Sequence, residues 1–201
     1  HQANIDERRK DLSGSFGWWW HNPGDTMDKI DPDNLARDTR VLLASVYRIA
    51  AAFVLPFNQS HAVDEIRTAL DEIATGAGDA FDLSAAQADA NALRQATDRL
   101  EARARQPVTA EEAAQINACQ MRLSRLLIPV NYTVNGPFDQ DPALGSPPVP
   151  GLRPAAKLSG LPAESNERLL ALTSLRRELN RLRYALTEAR RTIERTLATM
   201  G

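Results

Sequence analysis

The chain has 201 residues, of which 43% are apolar, 25% charged and 5% aromatic, a balance that suits a soluble globular protein of Leu/Ala-rich helices and argues against an all-β fold. Lys and Arg number 24 against 26 Asp and Glu, so a net charge of −2 offers no overall attraction to nucleic acid or to an anionic membrane. The one cysteine, Cys119, excludes an internal disulfide framework and a Cys-rich metal site, and no apolar run reaches the roughly 18 residues that cross a bilayer.

The first 31 residues differ from all that follow. Polar residues, Gly14, Gly17, Pro23 and Gly24 surround an aromatic run at residues 16 to 20, which reads as a short strand followed by a loop. Three tryptophans in a row on a strand alternate faces, so Trp18, Trp19 and Trp20 are expected to pack on both sides rather than to line a pocket. A polar start at His1, with no signal-peptide apolar region and no initiator Met, gives the expectation of a fragment.

Asp31-Pro32 is a helix start, an N-cap followed by a proline whose missing amide costs nothing there. Leu35, Leu42, Val46, Ile49 and Phe53 recur at helical spacing, widened by Leu43, Tyr47 and alanines, until Pro56. So apolar a helix needs cover on more than one side, and the isolated chain is expected to supply it by self-association or rearranged packing. A second helix is expected over residues 60 to 75, with Val63, Ile66, Leu70 and Ile73 inward, a solvated acidic outer face, and Gly76 and Gly78 as its stop. A third starts at a Ser84 cap and keeps Leu93, Ala96, Leu100 and Ala104 in register up to Pro107. Thr109 and Glu112 form a capping box for the fourth, whose face is Ile116, Cys119, Leu123 and Leu126. Cys119 on that stripe reads as a small buried hydrophobe.

Residues 129 to 162 hold most of the prolines and several turn signals, so no regular element is expected. The interspersed Val130, Tyr132, Val134, Phe138, Leu144, Val149 and Leu152 predict a loop wrapped onto a surface. The last helix, residues 164 to 199, carries Leu169, Leu172, Leu175, Leu179, Leu182, Leu186, Ala189, Ile193 and Leu197 at steps of three and four. Its arginines alternate with glutamates without stacking aromatics, which reads as a solvated face laced by pairs such as Glu178 with Arg181, or Arg183 with Glu188, and not as a nucleic-acid surface. The fold class is therefore mainly α: a helical bundle with a long C-terminal helix, a proline-rich wrapping loop and a short N-terminal strand and loop.

The segment WWWHNPGDTMDKIDPDNLARDT, residues 18 to 39, resembles the stretch that carries the last metal ligand in the family of zinc aminopeptidases and glutamate-carboxypeptidase-like enzymes. There, aromatic residues precede His, Thr-Pro, an acidic residue, Asp-Thr and a helix. The resemblance puts His21 on the ligand position and Asp25 and Thr26 on the Asp-Thr that shapes the loop. Asn22 and Gly24 depart from the usual threonine and acidic residue. The match covers about residues 16 to 40.

This resemblance implies a division into residues 1 to 56, the C-terminal remnant of a catalytic core, and residues 57 to 201, a helical dimerisation extension. It implies zinc and a peptide substrate in a parent enzyme whose remaining ligands and glutamate base lie upstream. His1 and His61 have no acidic companions at ligand spacing, so this chain alone is expected to be inactive and to bind no zinc tightly. Asp25 is read either as orienting the His21 ring or as capping backbone amides. The partner is expected to be a second copy, with no nucleic acid and no membrane, and the location cytoplasmic or periplasmic. The alternative reading is a helical interaction or adaptor domain without a metal site.

Overall fold

The computed structural model describes residues 19, 21–136, 139–140 and 145–200. The chain divides into two compact units, residues 1 to 51 and 52 to 201. Among the described residues the regular structure is entirely helical, and no helix is long and apolar enough to cross a membrane. The strand expected over residues 16 to 20, the packing of Trp18 and Trp20, and His1, Phe138 and Leu144 lie outside the described residues; Trp19 sits in a turn.

In the first unit, helix α1 (Pro32–Ala50) opens as its sequence requires. The Asp31 carboxylate accepts from the amides of Asp33 at 2.9 Å and Asn34 at 3.1 Å, and Pro32 occupies the first turn. It stops at Ala50, well short of Pro56. Past that point the backbone is committed elsewhere: the Asn117 side chain donates to the Phe53 carbonyl and accepts from the Leu55 amide, at 3.1 and 2.8 Å, two groups a continuing helix would need for itself. No residue of α1 is buried.

The second unit is a four-helix bundle of α2 (Gln59–Ala77), α3 (Ser84–Ala104), α4 (Ala110–Asn131) and α5 (Asn166–Ala198). Polar bridges fix the directions. Asp71–Gln87 and Arg67–Asn91 set α2 antiparallel to α3, Gln59–Gln120 and Glu65–Asn131 set α2 parallel to α4, and Thr199–Gln115 and Arg181–Pro129 set α4 antiparallel to α5. The course is up-down-up-down. Val63, Ile66 and Leu70 from α2, Leu93 and Leu100 from α3, Ile116 and Leu123 from α4, and Leu182, Leu186 and Ile193 from α5 form one buried core. Cys119 is buried within it, and that burial pushes its thiol pKa up.

Several local expectations shift by a residue or an interaction. Ser84 is the first residue of α3 and not its cap; the Asp82 carboxylate two residues earlier accepts the Ser84 amide at 2.9 Å. The Thr109–Glu112 capping box forms, and Glu112 also holds Arg103. Gly76 lies inside α2, which ends instead at Gly78 with φ of +51°. A Cβ on Gly76 would come to 3.0 Å from that of Ala156, so the glycine admits a close neighbour. The acidic face of α2 is tied down and not merely solvated: Asp64 pairs with Arg67 and Arg94, Glu65 with Asn131 and Tyr132, and Glu72 with Arg153. Glu178 pairs with Arg181, whereas Arg183 reaches Asp89 on α3 and leaves Glu188 to Arg191 and Arg195.

The proline-rich connection is more regular than its composition predicts. Helix α4 runs through Pro129, because a proline this near a C-terminus removes only one ladder bond, to the Arg125 carbonyl; the Pro129 carbonyl itself is taken by the Arg181 guanidinium and the Thr133 hydroxyl. Residues Pro150–Gly160 form a 3-10 stretch whose Leu152, Ala155 and Leu158 are buried in the bundle core. It packs on α2 and α5. Val149, which leads into it, is a β-branched residue at φ of +54°, a conformation costing on the order of 1–3 kcal/mol. Its burial and the bond from its amide to the Asn131 carbonyl, at 3.1 Å, hold it there.

Candidate metal-ligand loop

The residues singled out by sequence, His21, Asp25 and Thr26, share one short, exposed loop ahead of α1. The loop is built by local hydrogen bonds. Asn22 donates its amide to the Trp19 carbonyl at 3.2 Å, and its side-chain oxygen accepts the Gly24 amide at 2.8 Å. The Asp25 amide returns to the Asn22 carbonyl at 3.0 Å, and Thr26 donates its amide to Gly24 at 3.0 Å. A single 3-10 turn, Met27–Lys29, then leads to Asp31 and α1.

His21 stands at the start of this construction with φ of +60°. The left-handed region costs a non-glycine residue about 1–2 kcal/mol, and it turns the backbone sharply so that the residue lies at the bend itself. The Thr26 hydroxyl bonds the Asp28 carboxylate, which also holds Lys29. Lys29 first and Thr26 second keep the Asp28 carboxyl below its ordinary pKa, so it is ionised over the neutral range.

Asp25 contributes its backbone to the loop, while the side-chain cap is made by Asn22. The motif points to neither Asn22 nor Asp28 as a loop builder. The Asn-Pro-Gly triplet carries the signal for the first, since Asn and Gly together mark such turns. Nothing comparable marks Asp28, whose role depends on the 3-10 turn that brings it back to Thr26.

His21 is one imidazole, and structural or catalytic zinc takes three or four protein ligands. Among the described residues no group of three or more His, Cys, Asp or Glu side chains converges on a point that could hold a metal. A single exposed imidazole does not by itself make a zinc site. No family model, no curated protein and no solved structure matches the chain.

Proposed function

We propose that this chain is the C-terminal part of a zinc-dependent exopeptidase, in which His21 is the last zinc ligand and the bundle of α2 to α5 is an oligomerisation module. The observation that carries the reading is the loop itself: a histidine at a left-handed bend, an Asn22-to-Thr26 turn closed by its own hydrogen bonds, and an Asp31-Pro32 helix start behind it. Such a loop fixes the backbone from which an imidazole projects, as a ligand contributed to a site completed by other residues requires. When bound, zinc would supply an acidified water and polarise the scissile carbonyl. The chain's own part is to position one donor.

The test is the zinc content of the purified chain after exhaustive dialysis, alone and joined to its upstream coding sequence, each with and without His21→Ala. The reading expects negligible zinc in the chain alone, and in the longer protein a loss of zinc and of peptide hydrolysis on His21→Ala. Zinc and hydrolysis in the longer protein that ignore His21→Ala would overturn it. Stoichiometric zinc in the chain alone, lost on His21→Ala, would instead overturn the claim that the site is incomplete here.

A second reading, a helical interaction domain with no metal site, is favoured by one observation: the bundle of residues 52 to 201 has its own buried core, while the apolar residues of α1 are exposed.

A further inference from the structure

Helix α4 carries two seams. The inner one, Ile116, Cys119, Leu123 and Leu127, is buried in the bundle. The outer one, Ala114, Ala118, Met121, Arg125 and Ile128, repeats at steps of four, three, four and three, the spacing by which one helix presents a continuous edge to another. All five residues are exposed, Met121 at 44% and Ile128 at 50%. At the start of the same face stands Glu111. Glu111 and Arg125 make no ion pair or hydrogen bond among the described residues, although most arginines of the bundle do.

We propose that this outer seam is the interface between two copies of the chain, with the two α4 helices packed antiparallel about a two-fold axis. This deepens the oligomerisation part of the proposed function, on which it rests. Three features select a second copy in that orientation. Charge is self-complementary only when the helices run oppositely: with Ala118 facing Met121 of the second copy, Arg125 of that copy lies over Ala114, one turn from Glu111. The same contact is made twice by symmetry. Parallel pairing would instead set Arg125 against Arg125, a like-charge contact that disfavours it.

Size is complementary as well. Ala114 and Ala118 let the helices approach toward the lower end of the usual 8–10 Å separation. The opposing Met121 then meets a shallow, open depression of about 420 Å³ between α4 and α5, whose lining of Gln115, Ala118, Cys119, Thr192, Thr196 and Thr199 also includes Arg195. A flexible, unbranched methionine is suited to fill an irregular recess of this kind. In this register Ala114 with Arg125 and Ala118 with Met121, each made twice, give four opposed layers over about 16 Å at 1.5 Å per residue, and Ile128 falls opposite Glu111 at each end.

The experiment is light scattering and sedimentation of the full chain over a concentration series, for wild type, Glu111→Arg, Arg125→Glu and the double reversal. Expected is a dimer that each single reversal weakens by about tenfold or more and that the double reversal restores. A second measurement does not depend on charge: chains carrying Ala118→Cys mixed with chains carrying Met121→Cys should form the mixed disulfide in preference to either homodimer. An oligomer that neither reversal changes, with no preferred mixed disulfide, overturns this interface while leaving oligomerisation itself standing, for example through the apolar face of α1. A wild-type chain monomeric at every concentration overturns both.

Discussion

Helices α1 and α5 read alike and end differently. Each carries apolar residues at steps of three and four, and each opens on a side-chain cap, Asp31 for α1 and Ser165 for α5. Yet Leu42 of α1 is 65% exposed, whereas Leu186 of α5 is fully buried. The difference lies in what surrounds them. Helix α5 lays its seam against α3, α4 and the Pro150–Gly160 stretch, while α1 is the only α-helix among the described residues of its unit. Periodicity states that a face needs cover; it does not state that the same unit supplies it.

The largest expected effect tests that contrast directly. Leu186→Ala should cost about 2–5 kcal/mol in urea denaturation, since it empties a packed site. Leu42→Ala should stay within about 0.5 kcal/mol. Equal losses would break the comparison, because they would mean the α1 face is covered after all. Next is Gly76→Val, which forces a side chain into the contact with Ala156 and should cost about 1–3 kcal/mol. Gly160→Ala is its control: a Cβ there meets nothing within 4 Å, and stability should change by less than about 0.5 kcal/mol.

The caps sharpen the comparison. Thr109→Ala should lower the stability of the bundle by about 1 kcal/mol. Asp31→Ala should leave the bundle's unfolding midpoint in place and instead speed amide exchange in the first turns of α1, because a cap on an uncovered helix stabilises only that helix. A shift of the global transition by Asp31→Ala would show the two units to be energetically coupled.

The smallest effect is a pH dependence. The Thr109 amide first, and Arg103 second, hold Glu112 below its ordinary value of 4.5. Folded Glu112 thus binds its proton less readily than the unfolded chain does, so its contribution is present in full above the ordinary carboxylate range. It is lost as pH falls through the lowered folded value. Wild type should therefore exceed Glu112→Gln in stability near neutral pH, with the gap closing in acid. A gap that widened on acidification would contradict the assignment.

Much of the bundle was legible because its signals are local. The capping box at Thr109 and Glu112, the start at Asp31-Pro32 and the leucine seam of α5 each need only a few neighbouring residues to be read. What escaped was set by distant partners. Asn117 ends the helical course of residues 32 to 56 early by taking backbone groups of Phe53 and Leu55, 62 to 64 residues away in sequence. The Pro129 carbonyl, in the last turn of α4, is taken by Arg181 from α5, and residues 150 to 160 coil because the core accepts their leucines. In the loop of residues 21 to 29, a motif points to His21, Asp25 and Thr26, but the side chains that close the turn are those of Asn22, Thr26 and Asp28.

The left-handed valine before the 3-10 stretch bears on the order in which the molecule folds. An unfavourable backbone conformation at Val149 gains its compensation only when the core site for its side chain and the Asn131 carbonyl are both in place. Contacts among α2, α3 and α4 span shorter loops and can form without it. The link between α4 and α5 should therefore dock late, after the transition state. Substitutions at Val149 would then accelerate unfolding and leave the folding rate nearly unchanged, so that this segment governs how long the native state lasts more than how quickly it is reached.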